Sequence, residues 1–576
     1  MMQKNNTETT NNSSAWRYFA VIAAMSCVAV FLSYRALTIQ VLDNDFLKNE
    51  GDARHLRTIL LPAHRGMISD RNGEVLAVSS PVVSVWANPQ AAPKESSAYK
   101  ELAELINISG KDISQMIAGK QDKEFVYLRR QMNPSIEDNI RALKIPGISV
   151  VREFKRYYPA ADVTSQLVGF TDIDDKGIEG VELQLNDSLK GKPGQDRVVK
   201  DRMGRIIDSI DLLEIPEAGT NVELSIDKRL QYIAYRELKK QVQAHNAATG
   251  SLVLMDVHTG EILAMVNEPS YNPNRIIKSD ASNFRNRAMT DLIEPGSTIK
   301  PFIVAAALKS GMFGPHTLIE THSGVLRVGK NYVRDTHDYG DLDLTGVITK
   351  SSNVGISLVA LQLPKEMIWE SLSDFGFGEL TGSQFPGERK GMLPFFGEWD
   401  EFEQAALSFG YGISVTPLQL AQAYAMLANG GYLKPVTMLK RDTAPQGKRI
   451  LSEKITQEIM LMLESVVTRE GTALQASIPG YRVAGKTGTA KKIDKHGYMD
   501  KNYYAMFAGV APASNPQLVA VVIIDDPDIE TGYYGGVVAA PVFSRVVSEA
   551  LRLLDIAPDD VDEKPLRIAQ TEGSIH

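Results

Sequence analysis

Three stretches of the sequence predict a multidomain α+β chain that carries one membrane-crossing helix ahead of its folded mass. Residues 18–34, YFAVIAAMSCVAVFLSY, hold no charge and lie between Arg17 and Arg35. With ALTIQVL behind them they approach the roughly 20 apolar residues that a bilayer requires. From about 54 to 215, short extended runs such as HLRTILL and VVSVWA alternate with helical pieces such as SSAYKELAELINI, the pattern of an irregular α+β region. The rest of the chain has strand patterns at both ends and helical patterns between them. That order predicts one mainly antiparallel sheet sandwiched by helices.

Taken in order, residues 1–15 are polar and poor in hydrophobic side chains, which predicts a loose cytoplasmic stub. Residues 16–39 are read as an uncleaved anchor. The apolar core is long for a signal peptide and no small-x-small cleavage site follows it. Lys4 and Arg17 give a slight positive bias to the N-terminal side. Residues 40–215 form the irregular region, closed by Pro216 and Gly219 just before an alternating strand. The segment 216–556 opens with Asp227 as N-cap of a helix that stripes Leu230, Ile233, Ala234, Leu238 and Val242 along one face. SLVLMDVHTGEILAMVN then reads as a hairpin turning at His258, Thr259 and Gly260. A late strand pair, YYAMFAGVAP and QLVAVVIIDD, precedes the closing helix PVFSRVVSEALRLL, and 557–576 reads as a polar tail.

Composition excludes several functions. The chain has 576 residues with a net charge of −8, and without a basic footprint nucleic acid is not an expected partner. A single cysteine, Cys27, lies inside the apolar span and excludes a disulfide framework or a cysteine-based metal cluster. The nine histidines include no His-Glu-x-x-His and no close pair, so no metal is expected. Neither a Gly-x-Ser-x-Gly elbow nor a phosphate-binding loop is present.

Chemistry concentrates in EPGSTIKPF, residues 294–302. Pro301 has no N–H and is tolerated within the first turn of a helix, so the helix starts near Ser297, and Gly311 is its expected terminator. Ser297 and Lys300 then share a face one turn apart, where unpaired N–H groups and the macrodipole favour a developing oxyanion. Alone, the pair also fits a helix cap followed by an exposed lysine. As a nucleophile, Ser297 needs a base, and Lys300 serves only when neutral, through burial or a second nearby cation. VAGKTGTA, residues 483–490, offers Lys486 on a strand, followed by small residues that allow close approach of a ligand. Between them TKSSNVGISLVAL places Ser351 and Asn353 on a turn opening a helix, a hydroxyl able to relay a proton and an amide able to orient a carbonyl or a lysine.

Together Ser-x-x-Lys, Ser-x-Asn and Lys-Thr-Gly, in this order, resemble the penicillin-binding proteins, acyl-serine D,D-transpeptidases of peptidoglycan. RGMISDRNGEVLA, GIEGVE and YYGGVVAAPVF look like class B members, and RNRAMTDLIEPGSTIKPF and FPGERKGMLP look most like the septal, cell-division type. The resemblance spans about residues 54–550. It implies a class B pedestal over 40–215 and a β-lactamase-like transpeptidase domain over 216–556. It also implies that Ser297 is the nucleophile and Lys300 its base. Ser351 would protonate the leaving D-alanine, Asn353 hold the substrate amide, and Lys486 sustain the field around Lys300. Thr487 and Thr489, flanking Gly488, would bind the terminal carboxylate, and the Ser297 and Thr489 N–H groups form the oxyanion hole. Tyr503, Tyr533 and Tyr534 would wall the acceptor peptide. No cofactor is implied. The implied partners are D-Ala-D-Ala donor and amine acceptor peptides, β-lactams as inhibitors, the lipid bilayer, and a membrane-embedded glycan polymerase with other division proteins. The implied location is the inner membrane with the catalytic domain in the periplasm. Arg65, Asp70 and Glu179 are expected as structural salt-bridge partners. A β-lactamase-like hydrolase is a rival, since ELQLN at 182–186 matches a deacylation motif, though it precedes Ser297 rather than following it. A scaffold of the division complex is a second rival.

Overall fold

A computed structural model describes residues 13–44, 56–200, 206–494 and 497–560. The first twelve residues of the expected stub and the tail beyond 560 lie outside the described residues. The first helix, α1 (Ser13–Leu37), begins inside the expected stub. Trp16–Val41 is long and apolar enough to cross a membrane, with a mean hydropathy of 1.9 and no part of it buried. At the other end Asp559 accepts hydrogen bonds from the Arg482 and Ser514 N–H groups. The start of the expected loose tail is therefore pinned.

By packing, the chain divides into two compact units, one of residues 1–63, 81–154 and 192–217, the other of 64–80, 155–191 and 218–576. In the first, strands Leu56–Leu61, Gly194–Lys200 and Ile206–Glu214 form an antiparallel sheet. A small core of Val85, Tyr99, Leu102, Ile106, Ile113, Ile117, Leu128 and Ile140 lies under short helices.

The second unit is built on a five-stranded antiparallel sheet. Its strands are β1 (Thr249–Asp256), β2 (Ile262–Glu268), β3 (Ala484–Asp494), β4 (Gly497–Ala511) and β5 (Leu518–Asp525), in the order β2-β1-β5-β4-β3. β1 and β2 are the expected hairpin, and β4 and β5 the expected late pair. Consecutive residues Leu252, Val253, Leu254 and Met255 are all buried. Since successive side chains point to opposite faces, both faces of the sheet are covered. Helices α2 (Lys228–Ala244), α6 (Pro417–Ala428), α7 (Glu453–Val466) and α8 (Ala540–Leu553) pack on it. Asp227 caps α2 through the Arg229 N–H, and of the expected stripe Leu230, Ala234, Leu238 and Val242 are buried while Ile233 is partly so. Three further helices complete the centre: α3 (Lys300–Ser310), α4 (Leu344–Lys350) and α5 (Asn353–Gln362). The order of β3 at one edge leaves every second backbone group of that strand without a ladder partner, and the residues of Lys-Thr-Gly lie on it.

Of the three residues expected as structural salt-bridge partners, Arg65 is one, with Glu182: its Nε donates to Glu182 Oε2 at 2.8 Å, and Arg156 Nε donates to Oε1 at 2.6 Å. Glu182 is fully buried. Asp70 instead accepts from the Asn72, Glu74 and Lys228 N–H groups, which makes it a turn-forming acceptor. Burial raises the Glu179 carboxyl, and no cation opposes the shift. Because both oxygens of Glu182 are engaged, the ELQLN match is a packing element rather than a water-activating base.

Candidate active site

Ser297 lies on a 3-10 turn, Gly296–Ile299, that feeds directly into α3. The expected α-helical start is thus tighter by one class of turn. In a 3-10 turn side chains three apart eclipse, so Ser297 and Lys300 are brought closer to alignment than an α-turn gives. Pro301 sits in the first turn of α3, and Gly311 ends the helix in the left-handed conformation with φ 72°. Ser297 is half-buried, whereas Lys300 is completely buried.

The Lys300 ammonium donates to the Ser351 carbonyl at 2.6 Å, to Ser351 Oγ at 3.2 Å and to Asn353 Oδ1 at 2.8 Å. Ser351 occupies the αL link between α4 and α5, with φ 59° and ψ 39°, which turns both its oxygens toward the lysine. Ser352 then N-caps α5 through the Gly355 N–H. Among the described residues Ser297 Oγ has no hydrogen-bond partner, so in this state the lysine is held by the Ser351–Asn353 turn. Catalytic hydrogen bonds commonly tighten only with substrate bound.

β3 supplies the opposite wall. Lys486 is completely buried, and its Nζ has no hydrogen-bond partner among the described residues. Burial pushes this ammonium down to about 7. Burial and the Lys486 cation together hold Lys300 well below the ordinary lysine range, against the opposing pull of Asp335. Gly488 allows the strand to lie against the nucleophile turn. A Cβ there would meet Thr298 Cγ2 at 2.9 Å and the Pro295 carbonyl at 3.0 Å. Thr487 and Thr489 alternate with Lys486 and Gly488 and so share the other face of the strand. The aromatic trio is also assembled: Tyr503 stacks on Tyr533 at 4.5 Å, and Tyr533 on Tyr534 at 4.4 Å.

Sequence reasoning missed several residues here. Asp335 accepts from Ser352 Oγ and from the Asn353 and Val354 N–H groups, and so anchors the start of α5. Glu294 accepts from the Gly412 N–H at 2.9 Å and from the Tyr498 hydroxyl at 3.0 Å, which ties the beginning of β4 to the nucleophile turn. Burial raises its carboxyl. Thr472 Oγ1 lies 2.7 Å from Thr487 Oγ1. None carries a motif; for Glu294 the adjacency to Pro295-Gly296-Ser297 was the one available signal. Among the described residues no group of three or more His, Cys, Asp or Glu is arranged to hold a metal ion.

With this geometry the comparisons with known proteins agree. The family described as penicillin binding protein transpeptidase domain matches residues 250–548, and the penicillin-binding protein dimerisation domain matches residues 60–224. The protein named peptidoglycan D,D-transpeptidase FtsI of Escherichia coli strain K12 is 42% identical over 571 residues, covering 98% of this chain and 96% of that protein. The probable peptidoglycan D,D-transpeptidase PenA of Neisseria gonorrhoeae is 41% identical over 97% of this chain and 95% of that protein. Among solved structures, the transpeptidase domain of Burkholderia pseudomallei penicillin-binding protein 3 is 41% identical. It superposes with a TM-score of 0.54 over 58% of this chain and 97% of its own. A peptidoglycan synthetase of Bifidobacterium adolescentis, 24% identical, shares the fold over 88% of this chain and 98% of its own with a TM-score of 0.69.

Proposed function

This chain belongs to the penicillin-binding protein transpeptidase family, and we propose that it is the peptidoglycan D,D-transpeptidase of cell division, with Ser297 as its nucleophile. The observation that carries the assignment is the pair of fully buried lysines beside the Ser297 turn. Lys300 is held by Ser351 and Asn353, and Lys486 has no hydrogen-bond partner among the described residues. A lysine held well below its ordinary range by burial and a second cation sheds its proton more readily and can take that of Ser297.

In this reading Ser297 Oγ attacks the carbonyl of the penultimate D-alanine while its proton passes to Lys300. The resulting oxyanion is met by the Ser297 and Thr489 N–H groups. Ser351 hands a proton to the departing nitrogen, the C–N bond breaks, and terminal D-alanine leaves an acyl-serine. An acceptor amine then attacks the acyl carbon, its proton returns through the same groups, and Ser297 is released as the new amide forms. Asn353 orients the substrate amide and also holds Lys300. Thr487 and Thr489 take the terminal carboxylate, Gly488 gives the close backbone approach, and Tyr503, Tyr533 and Tyr534 wall the acceptor peptide. A β-lactam enters the same first step, but the amine released when its C–N bond breaks stays tethered to the acyl group and blocks the acceptor, so acylation becomes inhibition.

Residues 16–39 anchor the protein in the inner membrane with the catalytic part in the periplasm. Residues 40–215 serve as a pedestal and 216–556 as the catalytic domain. No polymerase motif appears in the pedestal, so a membrane-embedded glycan polymerase and other division proteins are its expected partners. Labelling with a fluorescent penicillin tests the assignment. Ser297→Ala is expected to abolish labelling with thermal stability changed by no more than about 1 kcal/mol, since a half-buried hydroxyl is removed without a large cavity. Persistent labelling at another residue overturns it.

A further inference from the structure

Thr487 and Thr489 sit two apart on β3, so their hydroxyls emerge side by side on one face of the strand. Each hydroxyl has one proton to give and two lone pairs to fill, and an ionised carboxylate can only accept. Two threonines serve a carboxylate together only when both protons are free to point at it. For Thr489 this is arranged: Oγ1 accepts the Gly535 N–H at 3.1 Å, which fills an acceptor position and leaves its proton available. For Thr487 the partner is Thr472, with the two Oγ1 atoms 2.7 Å apart and either able to donate. When Thr487 donates, its proton is spent and it turns a lone pair toward the substrate. When Thr472 donates, both strand hydroxyls present protons.

We propose that Thr472 is a positioning residue for the terminal carboxylate of the donor peptide: its hydroxyl donates to Thr487 and so turns the Thr487 proton toward the anion. The inference deepens the transpeptidase reading and rests on it. A second feature of the fold places Thr472 for this task. Gly535 and Gly536 open a one-turn helix, Gly535–Val538, packed backbone to backbone against both partners. A Cβ on Gly536 would meet the Thr472 carbonyl at 2.2 Å, and one on Gly535 would meet the Met506 and Gly488 carbonyls at 2.1 and 2.5 Å. One turn thus donates to Thr489 and sets the backbone that carries Thr472. The spacing from Thr472 to the two strand hydroxyls is fixed by main-chain contact rather than by flexible side chains. Thr487 itself is buried, whereas Thr472 is exposed and open to replacement without a core cavity.

The test uses the full-length protein and two N-acyl-D-alanyl thioesters, one whose leaving group ends in a carboxylate and its methyl ester. Thr472→Val keeps the shape and removes the hydroxyl, Thr472→Ala removes it without the branched side chain, and Thr472→Ser keeps it. Both hydroxyl-free variants are expected to lose about tenfold in kcat/KM toward the carboxylate substrate, mostly through KM, as for one hydrogen bond to a charged group. Toward the methyl ester they should remain within twofold of wild type, and Thr472→Ser should restore the carboxylate substrate to near wild-type values. Equal losses on both substrates in Thr472→Val and Thr472→Ala, or no loss on either, overturn the proposal. Failure of the underlying reading looks different: Ser297→Ala would then still turn over both thioesters.

Discussion

The second unit buries cations in two places and treats them oppositely. At Arg65 and Arg156, side chains each 1% exposed, a single carboxylate with no exposure, Glu182, answers both. At Lys300 and Lys486, both with no exposure, no carboxylate among the described residues forms an ion pair with either ammonium. The choice of residue fits the treatment. An arginine cannot shed its proton in a protein, so a buried one must be paired; a lysine can, and burial without a partner is what drives it to do so. In the proposed mechanism the paired cations hold the fold and the unpaired ones serve proton transfer.

The contrast is broken most forcefully at the paired site. Glu182→Gln leaves two permanently charged guanidinium groups facing a neutral amide in the interior. It is expected to cost about 3–5 kcal/mol of stability, the usual effect of removing one partner from a buried pair. Chemical denaturation reads the loss. The fraction that remains folded should still acylate with penicillin at the wild-type rate, since neither oxygen of Glu182 belongs to the site. An acylation defect larger than the folding defect would mean that this network also serves the chemistry.

At the unpaired site removal of the charge should cost little stability and change the pH behaviour instead. Lys486→Met keeps the length of the side chain without its charge. In the wild type Lys486 falls from an ordinary value of 10.5 to about 7, so between those limits the unfolded chain binds a proton that the native state refuses. Wild-type stability therefore declines as pH is lowered through that window and flattens below it, and the variant should lack this slope. Loss of the neighbouring cation also lets Lys300 bind its proton more readily. The acid limb of the acylation profile should move toward higher pH. Rates of penicillin acylation across pH 5–10 measure it, and an unmoved limb would mean that burial alone sets the base.

Much of this architecture is legible before any coordinates because it is local. The Ser-x-x-Lys turn, the Lys-Thr-Gly strand, the Asp227 cap, the Gly311 terminator and the hairpin at residues 258–260 each follow from residues within a few positions of one another. What the sequence hides is pairing over distance. Arg65 and Glu182 are 117 residues apart, and nothing in GIEGVE distinguishes Glu182 from Glu179 as the partner; the helical turn decides by turning one inward. Asp335 and Thr472 escape for the same reason, since each is a lone loop residue whose role exists only through its contact with another segment. The clustering of residues 64–80 and 155–191 with the catalytic unit is likewise a long-range property. It cuts across a pedestal read as continuous from 40 to 215.

The smallest expected effect is also the one that tests the sign of the electrostatic argument. Asp335 is the nearest thing to a counter-charge at the unpaired site: its field pulls Lys300 up, against burial and Lys486, without forming an ion pair. Its carboxylate is spent on the start of α5, where it accepts from Ser352 Oγ and from the Asn353 and Val354 N–H groups. A negative group at a helix N-terminus is stabilised there by the unpaired donors and the macrodipole. Asp335→Asn keeps an oxygen for the two N–H groups and offers an amide to Ser352, whose hydroxyl can accept instead. The turn that holds Lys300 should survive, with stability lowered by about 1 kcal/mol for weakened charged hydrogen bonds. With the negative field gone, Lys300 protonates less readily. The acid limb of acylation should then move toward lower pH, opposite to Lys486→Met. In the double variant the two shifts should add, leaving the limb displaced upward by less than in Lys486→Met alone, as for independent fields acting on one base. If Asp335→Asn instead moves the limb upward, or lowers the rate equally at every pH, the residue acts only by holding α5.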